Sequence, residues 1–137
     1  MIMVNHCFVC GKDNPDSIGL EFEVRDDGVI VSHFSLGRKY EGYPNILHGG
    51  ILAAILDDCM GNAIFKKGLL NYTVEMCLKY LKHCLVNEEL EVRGYIVGMN
   101  HKVVETEGEI VNSQGEVKVK ATGKYYVVGP LEKQWDI

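Results

Sequence analysis

The sequence predicts an α+β fold in which one long helix is wrapped by an antiparallel sheet of five or six strands. Three observations point there. A single apolar run over residues 50–67 is too long for one strand, alternating apolar and polar residues flank it on both sides, and the later runs are joined by connections short enough only for antiparallel neighbours.

Residues 7–20 contain Gly11, Asp13-Asn14-Pro15, Ser17 and Gly19, so residues 1–19 read as an N-terminal loop. Leu20, Phe22 and Val24 then alternate with Glu21, Glu23 and Arg25. Asp26-Asp27-Gly28 follows, then residues 29–34, which together signal a hairpin. Gly42 and Pro44 interrupt any regular element over residues 37–47 and lead into His48-Gly49-Gly50. The helix over residues 50–67 is apolar almost all round, as a helix buried by its surroundings requires. It ends at Lys66-Lys67-Gly68, where the lysines suit the negative end of the dipole and the glycine a left-handed cap. Strand-like runs follow at residues 72–82, 90–99, 101–112 and 117–128. A lone helix on one sheet leaves a bare face and an unpaired edge, so at least a homodimer is expected.

The 137 residues, 47% hydrophobic and 24% charged, suit a single domain over residues 1–137. A net charge of -5 argues against nucleic-acid binding. No stretch approaches the ~20 apolar residues of a membrane span, and the expectation is a cytoplasmic protein that does not enter a membrane. Cys59, Cys77 and Cys84 fall in apolar or alternating segments and are expected to be small buried hydrophobes. Cys7-Phe8-Val9-Cys10, preceded by His6, offers three soft ligands, but structural zinc wants four. The pair is read as reduced thiols in a turn, with a redox or metal module on Cys7 and Cys10 as the last-ranked alternative.

Chemistry concentrates at the helix. Its opening glycines expose unpaired N–H groups that a carbonyl oxygen can approach, so this terminus can serve as an oxyanion hole. Asp57, nine positions after His48, belongs to an acidic pair in an otherwise apolar helix, which is costly unless it meets water, a partner or a substrate cavity. Adjacent helical residues diverge by about 100°, so only one aspartate can face a given pocket. Asp57 is assigned to the site, and Asp58 to support, reaching Asn62 one turn on. Gly49 and Asp57 lie about 12 Å apart along a helix that rises about 1.5 Å per residue. One reacting carbonyl cannot touch both in the same chain, so the two groups must come from different subunits, with antiparallel helices across the interface.

The chain resembles the hot-dog-fold thioesterases of the phenylacetate-CoA thioesterase-like group, which is related to 4-hydroxybenzoyl-CoA thioesterase. The resemblance is carried by Cys7-Phe8-Val9-Cys10-Gly11, Asn14-Pro15, Gly19-Leu20, Tyr43-Pro44, Leu47-His48-Gly49-Gly50, Leu56-Asp57, Thr73-Val74-Glu75, Tyr80-Leu81 and Ala121-Thr122-Gly123. It implies a hot-dog fold, a homodimer that joins into a homotetramer, and acyl-CoA bound between subunits, with coenzyme A entering only as part of the substrate. Gly49 would donate its N–H to the thioester oxygen, His48 would shape the loop and Gly50 would allow close approach. Asp57 of the partner would activate water or attack directly, and Thr73 would help hold the water. His101 and Lys102 match positions that family members set against the CoA phosphates, or form a solvated hairpin tip. Asn45 stands where a small residue is common, and its amide contacts substrate or stabilises the turn. His83 replaces a usual proline after Tyr80-Leu81-Lys82, which alters the nearby channel. Hydrolysis of an acyl-CoA or acyl carrier protein thioester is the leading expectation. The alternatives are a non-catalytic acyl-CoA sensor and, behind it, a hydratase, for which no second acid or histidine is suitably placed on the helix.

Overall fold

The computed structural model describes residues 4–131. Among these residues six strands form one antiparallel sheet: β1 (Glu23–Val24), β2 (Ile30–Phe34), β3 (Leu69–Tyr80), β4 (Leu90–Asn100), β5 (Val103–Asn112) and β6 (Val117–Pro130). Their spatial order is β1-β2-β4-β5-β6-β3, which puts β3 at one edge. Among the described residues one long α-helix, α1 (Gly49–Phe65), crosses one face and touches β2 through β6. This is the helix-in-sheet arrangement that the sequence predicts. His101 sits in the β4–β5 turn with φ 57°, so β5 starts two residues later than the alternation alone places it.

The core forms where α1 meets the sheet. Ile55, Leu56, Cys59, Met60 and Ile64 of the helix are fully buried against Ile30, Val92, Val104, Ile110, Val119 and Tyr125 of the strands. Close approach of helix to sheet depends on Gly94 and Gly108, which face each other across β4 and β5. A Cβ on Gly94 would lie 3.0 Å from the Cys59 Sγ, and one on Gly108 would lie 3.2 Å from Leu56 and Met60. Side chains at this pair would lift the helix off the sheet and open voids beneath it. At its far end the helix stops at Phe65. Gly68 takes φ 83° and donates its N–H to the Phe65 carbonyl, the left-handed stop expected from its position after the two lysines.

The pairing of β3 with β6 carries an irregularity that local alternation does not reveal. Thr73 faces Tyr125 and Glu75 faces Lys124, so Val74 is an extra residue bulged from the ladder. Beyond it the inward positions change parity: Met76 and Leu78 pack on the core while Cys77 is exposed. The expectation that Cys77 is buried is therefore wrong, because the bulge turns it to the outer face. Cys59 and Cys84 are buried as expected.

Candidate active site

His48 is the N-cap of α1. Its φ of -62° and ψ of 130° stop the chain short of helical geometry, and its Nδ1 accepts the Gly50 N–H at 2.9 Å. The ring thus does a capping job usually given to serine or aspartate. Gly49 is the first helical residue, and its N–H has no acceptor within the helix. The Gly49 carbonyl accepts the Tyr80 hydroxyl at 2.7 Å, which ties this opening turn to the end of β3. Around it lies a cavity of about 730 Å³ lined by Tyr43, His48, Gly49, Tyr80, Lys82 and His83 among others. Lys82 and His83 were not expected among the site residues, and they bring basic groups to this cavity. Lys82 also pairs with Glu116.

Two turns along the helix, Asp57 is held by the strand pair at the sheet edge. Thr73 donates its hydroxyl to the Asp57 Oδ1 at 2.7 Å, and Tyr125 donates to the same atom at 2.9 Å and to the Asp57 carbonyl at 3.1 Å. Thr73 and Tyr125 are direct cross-strand partners, so one register sets both donors. Both bonds fall on Oδ1 and neither on Oδ2, an arrangement that leaves one oxygen able to take a proton. Burial, and then the Asp57 charge, push the Tyr125 phenol far above its ordinary value, so it stays protonated and remains a donor. Tyr125 is the residue that sequence reasoning missed here. Replacing it with phenylalanine is expected to lower turnover about tenfold through misorientation of Asp57, with a stability loss of about 1.5 to 3 kcal/mol for a bond to a charged acceptor. Steady-state kinetics beside thermal melts check this: loss of stability with unchanged kcat would limit Tyr125 to a structural part.

Asp58 bonds to different groups. Its expected link to Asn62 is made through the backbone, since the Asn62 amide donates to the Asp58 carbonyl at 2.7 Å. The carboxylate instead meets the N-terminal loop, where the Cys7 thiol donates to Oδ1 at 3.6 Å. Burial raises the Asp58 carboxyl above its usual range. Asp57, Asp58, Thr73, Tyr125, Cys7 and Cys10 all line one cavity of about 490 Å³, so the expectation that only one aspartate can face a given pocket is wrong: the two carboxylates diverge to different partners but border the same broad space. It is distinct from the cavity at Gly49. Within one chain the two halves of the expected site therefore do not converge, in keeping with the helix-rise argument.

The remaining expected residues lie outside both cavities. Asn45 has φ 67°, its N–H bonds to the Glu41 carboxylate at 2.7 Å, and its carbonyl accepts from Val86. These contacts are made by the backbone rather than by the side-chain amide, and the positive φ suits an asparagine in a turn. His101 and Lys102 form the exposed β4–β5 turn, where the Lys102 carbonyl accepts the Val127 N–H. His33, on the outer face of β2, pairs with Glu91 at 2.8 Å, and His6 is exposed.

The geometry can be set beside known proteins. The profile of the thioesterase superfamily matches residues 44–119, more than half of the chain and the whole span from the capped loop through the helix into β6. The crystal structure of RHA08564, a thioesterase superfamily protein, superposes with a TM-score of 0.84 at 26% identity, covering 89% of this chain and 60% of that one. A hypothetical thioesterase from Streptococcus pneumoniae TIGR4, solved with coenzyme A, superposes with a TM-score of 0.75 at 26% identity, covering 81% of this chain and 87% of that one. The same pneumococcal protein has been solved as an aspartate-to-alanine and as a threonine-to-alanine variant. In Saccharomyces cerevisiae, the uncharacterized mitochondrial membrane protein FMP10 is 32% identical over 76% of this chain, which spans only 46% of that relative. The fold is the hot-dog fold. The chain belongs to the thioesterase superfamily.

Proposed function

We propose that the chain hydrolyses an acyl-CoA thioester at a site completed by two protomers. The observation that carries this reading is the Asp57 carboxylate, fixed on one oxygen by Thr73 and Tyr125 and lining a cavity on the helix. Asp57 takes a proton from water, the resulting hydroxide attacks the acyl carbon, and the oxyanion accepts the Gly49 N–H of the facing protomer. Collapse expels the CoA thiolate, which takes up the water-derived proton from Asp57. Direct attack by Asp57, forming an anhydride that water then opens, uses the same groups. His48 holds the Gly50 N–H and so leaves that of Gly49 for substrate.

Other observations support the reading. Asp57 and Thr73 are sixteen positions apart, the same separation as the aspartate and threonine altered in the pneumococcal thioesterase variants. That relative was solved with coenzyme A. A homodimer, and from it a homotetramer, would cover the exposed Tyr72 and Val74 of edge strand β3. Lys82 and His83, beside Gly49, are the nearest basic groups for the CoA phosphates, with His101 and Lys102 reaching them from another subunit.

The test is a panel of aryl, short-chain and long-chain acyl-CoA esters followed by release of free CoA thiol. Turnover on one class is the expected result. A flat panel together with tight acyl-CoA binding would instead make the chain a non-catalytic acyl-CoA binder.

A further inference from the structure

The function above makes no use of the Cys7-Phe8-Val9-Cys10-Gly11 loop, which the fold lays against the helix beside Asp57. One ligand atom each from Cys7, Cys10 and Asp58 lies within 4.8 Å of the others. The loop is shaped to hold both sulfurs on one side. Gly11 donates its N–H to the Cys7 carbonyl at 2.8 Å, and a Cβ there would fall 2.4 Å from the Cys7 backbone. The Val9 N–H points at the Cys7 sulfur at 3.4 Å, and the Asn5 amide approaches the Cys10 sulfur at 4.0 Å. These N–H groups are donors whose hydrogen bonds a metal-bound sulfur would accept.

Two further observations separate this cluster from an ordinary thiol pair. Among the described residues the Asp58 Oδ2 is buried and has no hydrogen-bond partner, so part of a carboxylate is out of water without compensation. The spacing also suits a tetrahedral ion. With sulfur about 2.3 Å and oxygen about 2.0 Å from zinc, neighbouring sulfur and oxygen ligands stand about 3.5 Å apart. Cys7 Sγ and Asp58 Oδ1 are 3.6 Å apart.

We infer that Cys7, Cys10 and Asp58 form a binding site for one zinc-class divalent cation, which ties the N-terminal loop to helix α1 beside Asp57. Two thiolates and a carboxylate make a soft, anionic set that selects zinc over magnesium or calcium. They leave a fourth position, open to water from the cavity that the three residues line. Binding displaces the thiol protons to solvent, so no oxidant or reductant is involved. His6, which looks like the third ligand in the sequence, is exposed and outside the cluster, and Asp58 takes its place.

The experiment uses the full chain, purified under reductant, stripped with a chelator and titrated with zinc against a colorimetric competitor. The expected result is one tightly held equivalent per chain, with a higher melting temperature in the loaded form. Cobalt in place of zinc should give a sulfur-to-metal charge-transfer band and the visible bands of a tetrahedral ion. Cys10→Ser and Asp58→Asn should each weaken binding by more than the roughly 10- to 100-fold that loss of an outer-shell partner costs. Cys77→Ser, at an exposed thiol, should leave affinity unchanged, and Asp57→Asn, which removes a neighbouring charge but no ligand, should weaken it far less than the ligand variants, which separates this site from the hydrolytic one. Zinc lost entirely to the competitor, or binding equally strong in Cys10→Ser, overturns the assignment. Should the ligand variants fail to fold, a cobalt spectrum of the unaltered chain lacking the thiolate band overturns it on its own.

Discussion

Replacing Asp57 by asparagine is expected to lower kcat/KM for an acyl-CoA thioester by about 100- to 10,000-fold, the range that a positioned general base contributes. The change is conservative where it touches the protein. An asparagine Oδ1 still accepts from Thr73 and from Tyr125, whose bonds both fall on that atom in the aspartate. What is lost is a basic oxygen, since an amide nitrogen neither takes a proton from water nor attacks a carbonyl. Because the same substitution disables the direct-attack route, the expected loss does not depend on which route operates. Circular dichroism and melting temperature should be near those of the unaltered chain, and unchanged turnover would reject Asp57 as the reacting group.

The second large effect is expected from Gly49→Pro, which deletes one backbone donor. Proline is tolerated at the first position of a helix, where the missing N–H has no intrahelical acceptor, and it requires an extended residue before it. His48 already has that conformation, with ψ at 130°. The atoms nearest a Cβ at Gly49 belong to Tyr80, at an ordinary 3.5 Å. The helix should therefore survive while kcat falls about 100- to 1,000-fold, as for loss of an oxyanion donor elsewhere. The two variants also test where the groups meet. In a mixed dimer of Asp57→Asn with Gly49→Pro, one site contains both altered groups and the other contains neither, so activity should recover to about half that of the unaltered dimer. Mixed dimers no better than the separate variants would place both groups in one chain.

Much of the fold was legible because its signals are local. The length of the apolar run gives α1, alternation and short turns give β4 through β6, and Lys66-Lys67-Gly68 gives the stop. The loop before the helix and the aspartate within it were legible for a related reason, as polar or side-chain-free residues break a periodic pattern. What remained hidden depends on long-range register. Tyr125 reads as one more core aromatic in an alternating strand, and its approach to a residue 68 positions away exists only once β6 pairs with β3. Asp58 was assigned to Asn62 because helical spacing offers that neighbour, whereas its carboxylate meets a cysteine 51 positions away on a loop with no periodicity. Cys77 was misplaced because alternation carries no mark of an inserted residue.

That inserted residue, Val74, binds two properties of the protein together. Upstream of it odd-numbered residues of β3 turn toward the helix, which is how the Thr73 hydroxyl reaches its carboxylate. Downstream, even-numbered Met76 and Leu78 do so. A single-codon deletion there would force the strand to choose, either swinging the hydroxyl into solvent or turning two apolar side chains out of the interior. Insertions and deletions in this strand are thus closed to the protein as a route of change, while substitutions at its outward positions stay open.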